Sequence, residues 1–221
     1  DSLNLGVGRG DDIARVQENY CRFCAALGTD VNRVVLSKQI HEDGVRHVTE
    51  ADAGKGLWQE RDYSSVDGMV TDAPHLPLVV FSADCNVVLL HDPVRKAIGA
   101  CHAGWRGTAL GIAAKTVREM QRIFGCDPAD IRAAIGPCIG LCCFEVGPEV
   151  PEAMRNALGA DAEPFFEPRG EKYHVDLKGL NRLWLERAGL SEIDVCPDCT
   201  KCQPDRFWSH RAVGNQRGSQ A

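Results

Sequence analysis

Short apolar runs in close succession, with amphipathic helices around them, constrain this chain more than any other feature of its 221 residues. Residues 68–70, 78–81, 87–90 and 97–101 have the length and apolar character of buried strands, and 131–135 repeats the pattern. Buried strands so close together imply a sheet. Before them, Ile13, Val16, Tyr20, Phe23 and Leu27 recur at helical spacing, with Asp11 and Asp12 at the entry and Gly28 at the exit, which predicts an amphipathic helix. A second helix is predicted from Thr108, with Leu110, Ala113, Val117, Met120 and Phe124 on one face and Gly125 as its stop. Residues 33–40 read as a strand, 42–63 as an exposed hairpin or loop, 148–158 and 177–188 as helices, 173–175 as a strand, and 195–221 as a polar, turn-rich tail. Strands and helices interleave without a strict βαβ rhythm, nothing repeats, and no Pro/Gly/Ser linker divides the chain. The expected fold class is therefore α/β, a single mixed-sheet layered domain over residues 1–221.

A chain of this length buries enough surface to need no disulfide or metal staple. Hydrophobic residues at 44% and charged residues at 25% are globular values, and no apolar stretch approaches the roughly 20 residues that span a bilayer. Disorder, collagen and an integral membrane protein are excluded. The net charge of −6 supplies no basic footprint for a phosphate backbone, so neither nucleic acid nor membrane is expected as a partner. The 11 cysteines are an odd number, which forbids complete internal pairing, and no charged and apolar leader opens the chain; a cytoplasmic, reducing location is expected. There a cysteine is a small buried hydrophobe, a metal ligand or a nucleophile. Cys21 and Cys24 lie beside the first helix's apolar stripe and read as core.

Three segments place ligand-type side chains where a strand leaves for a loop: Ser37-Lys38-Gln39-Ile40-His41, Ser82-Ala83-Asp84-Cys85-Asn86 and Cys101-His102-Ala103-Gly104-Trp105-Arg106-Gly107. In the last, His102 follows an apolar strand and a helix starts just beyond the glycine-flanked Trp105-Arg106. Helix amides and the Arg106 guanidinium are expected to face an anion there.

Gln39-Ile40-His41, Ala83-Asp84-Cys85 with Asp92-Pro93 after it, and His102-Ala103-Gly104-Trp105-Arg106-Gly107 resemble the motifs of the YfiH family, formerly called multicopper polyphenol oxidases or laccase-like proteins. The resemblance continues in order through Gly136-Pro137-Cys138-Ile139-Gly140, Cys143-Phe144-Glu145-Val146, Cys199-Thr200-Lys201-Cys202 and Phe207-Trp208-Ser209-His210-Arg211. It implies an αββα layering and an enzyme that phosphorolyses adenosine, inosine, guanosine and methylthioadenosine and also deaminates adenosine, using one zinc ion. The implied zinc ligands are His41, Cys85 and His102, three donors that leave a fourth position open for chemistry. Purine nucleosides and phosphate are then the expected partners, with the oligomeric state left open. Arg106 is the first residue expected to hold the anion and Lys38 the second. Asp84 is expected to accept a proton, orient a ligand or hold a nucleoside hydroxyl, Gln39 to meet substrate or support a ligand, and His210 to approach the pocket. Asn86 and Val87 stand where relatives commonly carry an apolar residue and a proline, which is expected to alter pocket shape. Relatives also begin with a strand carrying a Thr-Arg-x-Gly-Gly segment, whereas here Asp1-Ser2 precede Leu3-Asn4-Leu5-Gly6, so that strand and its arginine are expected to be missing.

Two other chemistries compete. A blue-copper oxidase with a trinuclear cluster resembles a far more histidine-rich chain than one with 7 histidines, yet copper outranks zinc in intrinsic affinity, would enter the same site and would support phenol oxidation. Alternatively, Cys85 is a nucleophile with His102 as its base, in a hydrolase or deamidase. Cys196-x-x-Cys199-x-x-Cys202 lacks the fourth cysteine of a ferredoxin run and reads as structural thiols or a local disulfide. The usual zinc-peptidase, phosphate-loop and zinc nucleobase deaminase signatures are absent.

Overall fold

Four of the five apolar runs share a sheet, and the run at 78–81 instead pairs with residues 35–36 in a small two-stranded one. The computed structural model describes residues 3–8 and 10–221, so the Asp1-Ser2 start on which the missing-strand expectation rests lies outside the described residues. In chain order the elements are α1 (Ile13–Leu27), β1 (Val35–Leu36), β2 (Val45–His47), β3 (Gly68–Thr71), β4 (Leu78–Val79), β5 (Asn86–Asp92), β6 (Ala97–Ala103), α2 (Trp105–Ala109) and α3 (Ile112–Phe124). There follow β7 (Arg132–Ile135), β8 (Glu145–Val146), α4 (Glu149–Leu158), β9 (Phe166–Arg169), β10 (Lys172–Val175), α5 (Leu177–Arg187), β11 (Glu192–Val195) and α6 (His210–Val213). The central sheet has the order β11-β7-β5-β6-β3-β2, antiparallel through its middle and parallel at both edges.

Strand alternation sorts the apolar side chains into layers. Val70 of β3 and Cys101 and Ala103 of β6 face α3, which contributes Ile112, Ala113, Val117 and Met120, together with Leu185 of α5. Met69 and Ala100 face the opposite way, onto Val35 of the small β1-β4 pair. The next residue, Leu36, points outward onto Val16, Tyr20 and Cys24 of α1. Helices, sheet, small sheet and helix therefore stack as αββα. A separate core joins Ile139, Phe144, Met154, Leu177, Leu180 and Cys199, and it supports the tail.

Local expectations are corrected in four places. The helix expected from Thr108 is two helices: Gly111 takes φ +74, a Cβ there would meet the Trp184 ring at 3.3 Å, and Leu110 is exposed. The Trp184 indole N–H donates to Thr108 O (2.8 Å), occupying a carbonyl where the two helices part. Of the strand expected over 33–40, only Val35–Leu36 forms a ladder, because Asp30 caps a tight turn at Val31–Arg33. The segment 42–63, expected as an exposed hairpin or loop, instead contributes β2, which joins the main sheet in parallel beside β3. The tail begins only after β11, an edge strand whose alternating burial carries too few apolar residues to show as a run.

Candidate metal centre

Cys85 directly precedes β5 and His102 is the penultimate residue of β6. These strands pair with Asn86 opposite Ala103 and Val87 opposite His102, so the ladder brings the two ligands together although 17 positions separate them in sequence. His41 arrives from the loop after β1, and a buried carboxylate holds it. Asp67 Oδ1 accepts the His41 amide (3.1 Å) and lies 2.9 Å from His102 Nδ1, while Oδ2 accepts the Ile40 (2.9 Å) and Glu42 (3.2 Å) amides. Asp67 is fully buried. His41 adopts φ +66, a left-handed conformation that costs a non-glycine residue about 1–3 kcal/mol. Three amides converging on one carboxylate overdetermine that conformation and offset the strain.

One donor atom from each of His41, Cys85 and His102 falls within 4.8 Å of the others, and the two imidazoles meet edge to face at 4.7 Å. Because Asp67 engages His102 Nδ1, Nε2 is the nitrogen left for a metal. Burial pushes the Cys85 thiol up, but hydrogen bonds from His102 and His41 outweigh it and bring the group down to about 6. Burial likewise disfavours charge on His102, yet its hydrogen bonds to Asp67 and Cys85 raise it to about 9. For Asp67 itself burial raises the carboxyl, and the His102 ring and loop amides more than reverse that, holding it below the usual carboxylate range. Gly104 completes the cradle: a Cβ there would lie 3.2 Å from both Cys85 Sγ and His41 Cδ2. A thiolate and two imidazoles around such a space fit a late transition metal, with three protein donors leaving a fourth position.

These donors line a cleft of about 360 Å³. Phe81, Ile139 and Phe144 give it apolar walls, and His210, Arg211, Arg217 and Ser219 bring polar groups from the tail. The tail is tied down beside the ligands. Asp84, at φ +88, accepts the Thr200 hydroxyl and the Arg211 amide, each at 2.6 Å, so both carboxylate oxygens serve the tail. Ser82 and Gln220 exchange backbone hydrogen bonds of 3.0 and 3.1 Å.

Gln39, Asp84 and His210 therefore line the cleft with the three ligands. Arg106 does not. It is exposed, its guanidinium lies 4.3 Å over the neighbouring Trp105 ring, and the five-residue α2 offers no extended helix terminus to an anion. Lys38 is also exposed and absent from the cleft lining; it borders an adjoining hollow with Arg61, Gln39 and Phe81. Asn86 is fully buried and donates to Leu177 O (3.0 Å), so its departure from the family pattern bears on helix attachment and leaves the cleft lining untouched. Sequence reasoning passed over Asp67, Arg217 and Ser219. The only signal for Asp67 was an acid immediately before the apolar run at 68–70.

Fold and site together define a single-domain mixed α/β protein with a three-donor group, His41, Cys85 and His102, that could hold a metal ion. The chain belongs to the family described as multi-copper polyphenol oxidoreductase laccase, whose model matches residues 1–221. The crystal structure of the hypothetical protein YfiH from Bacillus licheniformis matches it with a TM-score of 0.95 at 39% identity, covering 99% of this chain and 83% of that one. The purine nucleoside phosphorylase YlmD of Geobacillus stearothermophilus is 38% identical over 217 residues, 95% of this chain and 78% of its own length. An adenosine deaminase from an unknown prokaryotic organism is 34% identical over 220 residues, 98% of this chain and 84% of its own.

Proposed function

We propose that this chain is a zinc-dependent purine nucleoside phosphorylase that also deaminates adenosine. The observation that carries the reading is the convergence of His41, Cys85 and His102 at an apolar-walled cleft whose tail side is cationic. Relatives named purine nucleoside phosphorylase and adenosine deaminase support the same choice. Phosphorolysis needs a flat site for the base, positive charge for phosphate, and exclusion of water from the sugar carbon. Phe81, Ile139 and Phe144 supply apolar surface for a purine. Arg211 and Arg217 supply the charge, taking the role expected of Arg106 and Lys38. A zinc ion held by the three ligands supplies Lewis acidity. Asp67 keeps the ligand imidazole of His102 oriented, and Asp84 holds the arginine-bearing segment in register with Cys85.

The test incubates metal-loaded protein with adenosine and phosphate and separates adenine, ribose 1-phosphate and inosine. All three are expected. Absence of both adenine and inosine would sink the reading, and full activity in Cys85→Ala would remove the metal assignment. A cysteine-nucleophile reading draws on one observation, a thiolate-favouring Cys85 beside a charge-favouring His102. Alkylation of Cys85 that zinc blocks, with turnover surviving only in the zinc-loaded form, would count against it.

A further inference from the structure

Four cysteines that this chemistry does not use come together from the two ends of a long excursion. Cys142 and Cys143 close a turn that starts at Gly140, and Cys199 and Cys202 open the tail some 60 residues later. All are free thiols, and their sulfurs fall within 4.8 Å of one another. Cys202 Sγ lies 3.7 Å from Cys142 Sγ and 3.4 Å from Cys143 Sγ. Four thiolates at the usual Zn–S length of about 2.3 Å form a tetrahedron with edges of about 3.8 Å. We propose that Cys142, Cys143, Cys199 and Cys202 form a second metal site, a tetrathiolate that binds a single zinc ion and staples the tail to the turn at residues 140–143.

Both ligand-bearing loops are shaped by contacts that need no metal. Cys199-x-x-Cys202 has the spacing of a zinc knuckle. The Gly140 amide donates to Cys199 Sγ (3.2 Å), and a Cβ on Gly140 would lie 3.3 Å from Cys142 Sγ and from Cys199 Cβ, so the glycine lets the turn approach the sulfurs. Thr200 N donates to Cys138 O (3.1 Å), and buried Lys178 donates to the carbonyls of Cys196 and Asp198 at 2.7 Å each. Cys196 is held by this contact outside the group. On binding, the thiols release their protons to solvent and the four thiolates bond the metal, with no change of oxidation state.

The staple bears on the first centre through one residue. Thr200 stands between Cys199 and Cys202, and its hydroxyl donates to Asp84, which in turn holds the Arg211 amide. Closing the tetrathiolate thus sets the wall of the cleft from behind.

The test uses the full chain purified under a thiol reductant, with zinc counted per chain by mass spectrometry and its neighbours read by X-ray absorption. Wild type is expected to hold two zinc ions. Cys85→Ser, which disables the first centre, is expected to keep one with four sulfur neighbours. Cys199→Ser/Cys202→Ser should lose that ion, and Cys202→His should retain it with three sulfurs and one nitrogen. No zinc in Cys85→Ser, a shell rich in nitrogen or oxygen, iron in place of zinc, or a mapped disulfide between Cys143 and Cys202 under reductant would each overturn the proposal. None of these measurements reads nucleoside turnover, so this proposal and the proposed activity fail separately.

Discussion

Asp67→Asn isolates the residue on which the first centre is built. The side chain is fully buried and its two oxygens engage four donors, the amides of Ile40, His41 and Glu42 and the His102 ring nitrogen. Asparagine has the same shape, so no cavity opens, but it keeps one acceptor oxygen and presents an NH2 to the donors that met the other. Two of the four contacts are lost. Hydrogen bonds to a charged group contribute about 1.5–3 kcal/mol each, so the variant is expected to lose about 3–6 kcal/mol of stability in urea unfolding. With His102 no longer held in one tautomer and the His41 loop released, zinc affinity should fall roughly 10–100-fold, measured by competition with a chromogenic chelator. The two readouts check each other. Unchanged zinc affinity at reduced stability would show that Asp67 supports only the loop. Unchanged values of both would refute the reasoning that a buried carboxylate organises the site.

Three further outcomes are expected. Gly104→Ala sets a methyl 3.2 Å from Cys85 Sγ and His41 Cδ2; overpacking of this kind costs about 1–3 kcal/mol, so zinc binding should weaken roughly tenfold or more by the same competition assay. Asp52 is buried; that burial raises its carboxyl, but hydrogen bonds from Lys55, the Thr49 amide and Arg46 pull it down to about 2 from 3.8. A depressed carboxyl stabilises the fold above its unfolded value and ceases to as pH falls toward 2. Urea midpoints should therefore drop between pH 5 and 2 by an amount equivalent to about 2 kcal/mol, and that share of the slope should vanish in Asp52→Asn. Tyr20→Phe removes the hydroxyl that donates to Leu5 O (2.9 Å) in a wholly buried position, and unfolding should register a loss of about 1–3 kcal/mol.

How much of this was legible follows from what each signal measures. The β5 and β6 runs were readable because both faces of those strands carry apolar residues, and α1 because its stripe at Val16 and Tyr20 is regular. The β2 and β11 edge strands were not, since segments of three and four residues with only one or two apolar side chains each leave no periodic trace. Gly111 broke a helix whose apolar spacing continued straight across it, because Trp184 from α5 occupies the place of a side chain. At the site, His41, Cys85 and His102 came from motif resemblance, and the structure brings them together. Arg106 looked like an anion ligand from its glycine-flanked setting, yet its side chain found a stacking partner next door at Trp105.

Residue pattern alone established a mixed α/β domain and the segments that carry its ligand-type side chains, because burial along a strand or helix leaves a periodic trace in one dimension. It left 11 cysteines largely unsorted. Packing in three dimensions sorted more of them: Cys101 and Cys126 into core, Cys85 beside two imidazoles, and Cys142, Cys143, Cys199 and Cys202 into one cluster. The physical reason is range. A metal centre, and the carboxylate of Asp67 that orders it, depend on contacts between residues tens of positions apart, and no local regularity records which distant segments a sheet will bring side by side.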